Sequence, residues 1–184
     1  MDLYQGPAKQ GELHCTQETA KPVTKLHIFT TGGTIDKVYF DALSEFQVGE
    51  TALNAILREA NVSFEHEITS LMRKDSLDMT DDDRVLVREA VRASPCRHIL
   101  ITHGTDTMAK TARALIDIEG KTIVFTGAMQ PAALRSTDAI FNIGYAIAAT
   151  QLQPPGVYIA MNGHVFDAAH VTKDRAAGRF IDTD

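Results

Sequence analysis

A short stretch near the start of the chain, FTTGGTID from Phe29 to Asp36, combines three threonines with two glycines. The preceding run, VTKLHI, is rich in β-branched and apolar residues, so the glycines end a predicted strand. A glycine-rich loop after a strand can bind a phosphate, whereas a threonine hydroxyl can act as a nucleophile once a base removes its proton. The stretch therefore raises two alternatives, phosphate binding or hydroxyl chemistry.

Phosphate and metal binding both lack the residues they need. The fingerprint Gly-x-Gly-x-x-Gly is absent because TGGTIDKVYF has no third glycine, and no Gly-Lys-Ser/Thr follows. The histidine pairs His98/His103 and His164/His170 have spacings that put neither pair on one helix face. We therefore expect no cofactor and no metal, and we interpret His103 as a strand-end residue with a local hydrogen bond.

Several groups that could assist a hydroxyl follow other predicted strands. Thr105 and Asp106 lie in HGTDT, Lys173 lies in HVTKDR, and Tyr39 comes shortly after Thr34. A lysine held among apolar walls or near another cation has a lowered pKa and can take a proton through a threonine hydroxyl. Taken alone, each of these residues is ambiguous, and an ordinary surface or core position is the more frequent one for residues such as Lys173 and Tyr39. The residue types alone therefore do not identify the base.

The elements that would position these residues alternate between strand and helix. The predicted strands lie in VTKLHIFTTGG, FEHEITSL, RHILITHG, KTIVFTGA and PGVYIAMNG, and the predicted helices lie in GETALNAILREAN, TDDDRVLVREAVRAS, TDTMAKTARALIDIEG and STDAIFNIGYAIAATQ. Such alternation requires crossovers, which produce parallel strands. HILIT and TIVF are continuously apolar, as strands buried on both faces are. We predict a doubly wound α/β fold, a mostly parallel sheet with helices on both faces.

Polar residues follow every predicted strand. The five following segments are TTGGTID, RKDSLDM, THGTDTM, TGAMQP and MNGHVFDAAHVTKDR. In open α/β sheets, ligands bind beyond the carboxyl ends of the strands. The sequence therefore predicts a site formed by these segments together.

Length and composition limit the classes of partner. The 184 residues suit one domain, which we place at 23–184 after a flexible leader at 1–22. The net charge of −6, without a cluster of basic residues, argues against nucleic acid and anionic membrane surfaces. Two cysteines are too few for a disulfide framework, and no run is apolar enough to cross a membrane. We expect a cytoplasmic protein.

The motifs resemble those of a known family. TTGGTI and ITHGTDTM, about seventy residues apart, resemble the two signatures of the bacterial L-asparaginase/glutaminase family. DSLDM, TGAMQP with STDAIFN, and HVTK resemble further segments of the same family. The likeness runs from Leu26 to Lys173, nearly the whole chain.

The resemblance implies hydrolysis of the side-chain amide of L-asparagine, and variably of glutamine, through an acyl-threonine intermediate without metal or cofactor. Thr34 matches the nucleophile of the family. Thr105, Asp106 and Lys173 match a second catalytic cluster in which the lysine polarises the threonine. Asp106 also matches the acid that binds the substrate α-ammonium, and Ser76 matches the hydroxyl that binds the α-carboxylate.

The chain departs from the family at four positions. Asp36 and His98 stand where small residues are usual, and Leu77 replaces a polar residue that helps to bind the α-ammonium. The family's catalytic tyrosine lies where this chain has Phe46, so we assign the role to Tyr39, the nearest hydroxyl. Residues 36–47 then correspond to the mobile lid over the site.

The length is the largest departure, because family members are usually much longer and carry a second α/β domain. The polar ending AAGRFIDTD favours a complete short form over a fragment. We expect an L-asparaginase with little glutaminase activity, a small-molecule substrate and a homo-oligomeric state. The alternative is a catalytically weak module of the same fold that binds an amino acid or partners an amidotransferase.

Overall fold

The computed structural model describes residues 25–40 and 45–183, without the side chains of residues 39, 40, 45 and 46. The strands are β1 (Leu26–Gly32), β2 (Lys37–Phe40), β3 (Glu45–Val48), β4 (His66–Lys74), β5 (His98–Thr102), β6 (Thr122–Thr126), β7 (Gly156–Met161), β8 (His164–Asp167), β9 (Val171–Asp174) and β10 (Arg179–Asp182). The α-helices are α1 (Leu53–Glu59), α2 (Asp81–Ala93), α3 (Met108–Arg113) and α4 (Ala139–Leu152). The predicted leader, 1–22, lies outside the described residues.

A six-stranded sheet in the order β4-β1-β5-β6-β7-β8 forms the centre of the fold. The pairs from β4 to β7 are parallel, and β8 pairs with β7 in the antiparallel direction. The chain leaves β1 towards β4 on one side and then crosses to β5 on the other side. The boundary between β1 and β5 is therefore the topological switch point, where ligands bind in sheets of this kind.

Two apolar cores lie on opposite faces of the sheet. Along β5, Ile99 and Ile101 belong to the core shared with α2 and α3, whereas Leu100 belongs to the core shared with α1 and α4. This alternation follows from the two-residue period of a strand, and the burial of both sets explains the continuously apolar sequence. The doubly wound α/β fold predicted from the sequence is confirmed.

Helix α2 begins where the sequence predicts it. The Thr80 hydroxyl accepts from the Asp83 N–H, and the Asp83 carboxylate accepts from the Thr80 N–H, which forms a capping box. Lys74, the last residue of β4, donates to the same Asp83 carboxylate at 2.8 Å. The turn that follows β4 is therefore anchored to the start of α2.

Three features differ from the predicted elements. α3 ends at Arg113 and continues as turns, because the N–H groups of Leu115 and Ile118 bond three residues back rather than four. The segment interpreted as a loop after β7 contains β8 and β9, and β9 forms a hairpin with β10, which lies just beyond that segment. The turn from β7 to β8 is Asn162-Gly163, with φ angles of 56° and 80°, and this dipeptide is the signal that sequence reasoning missed.

The predicted lid is a hairpin in which β2 pairs with β3. No helix in the described part of the chain is long and apolar enough to cross a membrane.

Candidate active site

The loop after β1 is shaped by its two glycines. Gly32 and Gly33 both have φ near +90°, a conformation that L-residues other than glycine rarely adopt. The Gly33 N–H donates to the Lys74 carbonyl at 3.0 Å, which fixes the turn against the end of β4. Thr34 follows at once, and it begins a 3-10 turn that ends at Asp36.

The loops after β1 and β5 touch through their glycines. A methyl group added at Gly33 would lie 2.5 Å from the Gly104 backbone nitrogen, so no side chain fits at this position. Gly33 precedes Thr34, and Gly104 precedes Thr105. The contact therefore brings together the two loops that carry the predicted catalytic threonines.

Lys173 connects β9 with the loop after β5. Its Nζ donates to Thr105 Oγ1 at 2.7 Å and to Asp106 Oδ1 at 2.9 Å. Thr105 is buried, and the lysine side chain is only 14% exposed. This ion pair is thus shielded from solvent on the lysine side, and the threonine oxygen faces a cation.

The neighbours of β9 hold Lys173 in place. β9 pairs with β10, where Phe180 lies opposite Lys173. Val171 is fully buried, and its carbonyl accepts a hydrogen bond from Arg113 of α3. The β9–β10 hairpin, whose first strand sequence reasoning interpreted as part of a loop, is therefore the element that positions the lysine.

The turn after β4 supplies Ser76. Asp75 caps this 3-10 turn by accepting from the Leu77 N–H at 3.1 Å, and it forms an ion pair with Lys37 at 2.7 Å. The hydrogen bond from Lys37 lowers the pKa of the Asp75 carboxyl below its ordinary value. Ser76 is 1% exposed, and its Oγ has no partner among the described residues.

Further contacts join the Ser76 turn to the Thr105 loop. Thr107 Oγ1 donates to the Ser76 carbonyl at 2.7 Å. A methyl group added at Gly104 would lie 2.6 Å from Ser76 Oγ. The buried Ser76 hydroxyl therefore lies beside the backbone that leads into Thr105.

Asp36, which stands where the family resembled by the sequence usually has a small residue, makes hydrogen bonds that hold the local structure together. Its carboxylate accepts the Ala52 N–H at 3.1 Å, and its carbonyl accepts the Gly49 N–H at 2.8 Å. Both bonds tie the base of the β2–β3 hairpin to the segment leading into α1. Burial raises the pKa of the Asp36 carboxyl to about 6, because the charged form is poorly solvated there.

The structure brings together part of the predicted site. Direct contacts join Lys173 with Thr105 and Asp106, and backbone contacts bring the loops of Thr34 and Ser76 to the same place. Tyr39 pairs with Phe46 across the hairpin, and its side chain lies outside the described atoms.

The segment TGAMQP with STDAIFN is held by a network of hydrogen bonds. The Asp138 carboxylate accepts from the N–H groups of Met129 and Gln130 and from Asn142 Nδ2. Asn142 Nδ2 also donates to the Gly127 carbonyl at 3.1 Å. This part of the resemblance therefore corresponds to a network that shapes the loop after β6.

A cavity of about 400 Å³ opens beside the Lys173 cluster. Its walls come from α3, β9 and the adjoining turns, and its lining includes Asp106, Lys110, Arg113, Lys173 and Arg175. Within the described residues, no group of three histidine, cysteine, aspartate or glutamate side chains could hold a metal ion.

Comparison with protein families matches residues 25–179 to the family described as Asparaginase, N-terminal. The chain belongs to the asparaginase family. It is 31% identical over 171 residues to a Haemophilus influenzae protein named "Probable L-asparaginase periplasmic", covering 84% of this chain and 47% of that protein. An "L-asparaginase" of Thermococcus kodakarensis is 31% identical over 164 residues, covering 84% of this chain and 49% of the relative.

Solved asparaginase structures share the fold. The thermostable L-asparaginase from Thermococcus kodakarensis matches with a TM-score of 0.74 and 27% identity, covering 86% of this chain and 51% of that one. L-asparaginase I from Vibrio cholerae matches with a TM-score of 0.73 and 26% identity, again covering 86% of this chain and 51% of that one. The chain thus spans about half the length of the relatives it matches. Its predicted status as a complete short form stays a prediction.

A weaker likeness concerns the alternative function. A Methanococcus vannielii protein that is named as part of a glutamyl-tRNA(Gln) amidotransferase is 38% identical over 88 residues, which cover 45% of this chain and 21% of that protein. The names of similar proteins include both a periplasmic and a cytoplasmic asparaginase, so the compartment also stays a prediction.

Proposed function

We propose that this protein hydrolyses the side-chain amide of L-asparagine to L-aspartate and ammonia. The observation that carries the proposal is the contact of Lys173 Nζ with Thr105 Oγ1 at 2.7 Å and Asp106 Oδ1 at 2.9 Å. Family membership supports it, because the relatives are named L-asparaginases.

Thr34 is the nucleophile of the proposed reaction. Its Oγ1 forms a bond to the amide carbon while the hydroxyl proton passes to a neighbouring base. The C–N bond then breaks, and the nitrogen leaves as ammonia after accepting a proton. Water attacks the resulting threonyl ester, which releases aspartate and restores the Thr34 hydroxyl. Backbone N–H groups at the Gly-Thr turns are suited to stabilise the oxyanion of each tetrahedral intermediate.

Thr105 and Lys173 form the proton-transfer pair of the second cluster. The lysine donates a hydrogen bond to the threonine oxygen and therefore stabilises negative charge that develops on it. Asp106 balances the lysine charge at 2.9 Å. A threonine oxygen polarised in this way can pass a proton from Thr34 to the leaving nitrogen in the first step, and from the attacking water to the Thr34 oxygen in the second.

The two ends of the substrate bind on either side of Thr105. Asp106, whose side chain is 33% exposed, binds the α-ammonium, and the Ser76 hydroxyl binds the α-carboxylate. The Ser76 assignment is supported by its buried Oγ without a described partner, since such a group is costly unless a ligand satisfies it. Leu77 is 65% exposed and its side chain offers no hydrogen bond, so the α-amino end is held by fewer groups.

The β2–β3 hairpin covers the site as a lid, with Tyr39 as its catalytic hydroxyl. The register supports this assignment, because Tyr39 lies directly opposite Phe46, the position that matches the family's tyrosine. A Tyr39→Phe variant that keeps the full rate would remove Tyr39 from the mechanism.

Ammonia release from L-asparagine is the direct test, with L-glutamine as the second substrate. Glutamine is one methylene longer and should react more slowly, because its amide must reach the same nucleophile from a loosely held α-amino end. Binding of L-asparagine without ammonia release would instead favour the amino-acid-binding or amidotransferase-partner module. Light scattering tests the proposed association of copies into a homo-oligomer.

A further inference from the structure

His103 is a buried titratable residue that the proposed mechanism does not use. It follows β5 and precedes Gly104, and its side chain is 0% exposed. Its Nδ1 lies 2.7 Å from the carbonyl oxygen of Gly104. The ring also packs edge-on against Phe125, with 6.0 Å between the ring centres. The imidazole is thus enclosed on one side by apolar core and hydrogen-bonded on the other to the backbone of the catalytic loop.

The hydrogen bond defines the tautomer of this imidazole. A carbonyl oxygen can only accept, so Nδ1 must carry the hydrogen. Nε2 is buried and has no hydrogen-bond partner among the described residues, so a hydrogen there would be an unsatisfied buried donor. Burial, reinforced by the positive charge of Arg84, lowers the pKa of His103 to about 4, against the weaker effect of the bond to Gly104. His103 is therefore neutral near pH 7 and protonated on Nδ1.

Gly104, whose carbonyl oxygen is bonded to His103, lies where three loops meet. The Gly104 backbone touches Gly33, which precedes the proposed nucleophile Thr34. On another side it touches Ser76, close to the hydroxyl proposed to bind the substrate carboxylate. A rotation of the peptide between Gly104 and Thr105 would move Thr105 relative to both Gly33 and Ser76.

We infer that His103 is a positioning residue for the proposed reaction: its Nδ1–H holds the Gly104 carbonyl and thereby sets the placement of Thr34, Ser76 and Thr105. The expected effect on the reaction rate rests on the proposed function. The expected effect on the positions of the loops rests only on the hydrogen bond between His103 and Gly104. A misplacement of reacting groups by about 1 Å can cost roughly a hundredfold in rate.

Two variants separate positioning from packing. His103→Asn keeps an N–H donor close to the place of Nδ1, whereas His103→Gln carries its amide one bond further out, near the place of Nε2. Both are neutral amides that replace a ring, so each leaves part of its volume unfilled. We expect His103→Asn to keep kcat within about threefold of the unmodified protein and His103→Gln to lose roughly tenfold or more. Thermal unfolding measures the packing cost of each variant separately.

Equal kcat values for His103→Asn and His103→Gln would overturn the inference. A fall in kcat that is proportional to the fall in Tm in each variant would also overturn it. Nuclear magnetic resonance tests the placement without requiring turnover. Long-range ¹H–¹⁵N spectra should show the Nδ1–H tautomer of His103, and the amide signals of Thr34 and Ser76 should move in His103→Gln more than in His103→Asn. An Nε2–H tautomer, or the same shifts in both variants, would overturn the inference even in an active enzyme. If the spectra are as expected but the protein releases no ammonia, the proposed function is contradicted and the positioning role of His103 is not.

Discussion

Gly33 and Gly104 are in backbone contact, so that a methyl group on the first would lie 2.5 Å from the nitrogen of the second. This contact sits at the switch point of the sheet, between the loops that follow β1 and β5. It places two Gly-Thr turns side by side, and each turn delivers a threonine hydroxyl. The proposed chemistry therefore depends on the absence of side chains at two neighbouring backbone positions.

Gly33→Ala should lower both activity and stability because of this contact. Gly120→Ala is the matched control, since Gly120 also has a positive φ, of 72°, but a methyl group there would meet nothing within 4 Å. Both variants place a non-glycine residue at positive φ, at a cost of about 1–3 kcal/mol. The strain is larger for Gly33→Ala, because its φ of 90° and ψ of −172° lie in a region essentially restricted to glycine, and only Gly33→Ala adds the clash. Chemical denaturation should show the larger loss for Gly33→Ala, together with a fall in kcat that Gly120→Ala lacks. Equal effects would mean that the contact does not matter.

Lys173→Met should lower kcat roughly a hundredfold or more with little change in KM, because the lysine acts on Thr105 and not on substrate. Lys121→Met serves as the control: Lys121 is another partly buried lysine, and it donates to the Ser94 and Cys96 carbonyls instead. Steady-state kinetics of both variants measures whether kcat or KM changes. A rise in KM with unchanged kcat in Lys173→Met would show that this lysine binds substrate.

Asp106→Asn should raise KM at least as much as it lowers kcat, because the variant loses the charge that binds the α-ammonium. A hydrogen bond to a charged group contributes about 1.5–3 kcal/mol, which corresponds to roughly ten- to a hundredfold in binding. Ser76→Ala should raise KM for the same reason at the carboxylate end. If instead Asp106→Asn changed only kcat, Asp106 would belong with Lys173 as a proton-transfer group.

Asp36→Asn should stabilise the protein above pH 6 and change little near pH 4. Burial raises the pKa of Asp36 from 3.8 to about 6, so the folded state binds its proton more tightly than the unfolded state does. The stability of the unmodified protein should therefore fall as the pH rises from about 4 to about 6 and stay level above. The gain from asparagine, which keeps an acceptor for the Ala52 N–H, is at most about 3 kcal/mol. Unfolding free energies measured across this pH range check the prediction, and a gain that is equal at both ends would contradict it.

The parallel sheet was predictable because its strands are read from local patterns. HILIT and TIVF are continuously apolar in the sequence, and both prove to be strands buried on both faces. The capping box of α2 is also local, since Thr80 and Asp83 lie one turn apart. β8 was missed because a four-residue strand has little periodicity, although its Asn-Gly turn was visible.

The contacts within the candidate site were harder to predict, because they join residues that are far apart in the sequence. Lys173 and Thr105 are 68 positions apart, and only the family resemblance paired them before the structure showed the contact. The hairpin that holds the lysine consists of two four-residue strands, each with only one buried side chain, Val171 in β9 and Phe180 in β10. The burial of the Asp36 carboxyl was equally hidden, because the N–H that bonds to it comes from Ala52, beyond the lid.

Single-turnover kinetics of Thr34→Ala on L-asparagine tests whether Thr34 carries the acyl group. Thr34→Ser, which keeps a hydroxyl, is the control. We predict that Thr34→Ala loses roughly a thousandfold or more in kcat and forms no covalent adduct detectable by mass spectrometry, while it still binds L-asparagine. Retention of a tenth of the activity by Thr34→Ala, or an adduct located on Thr105, would show that Thr34 is not the nucleophile and would move that role to the loop after β5.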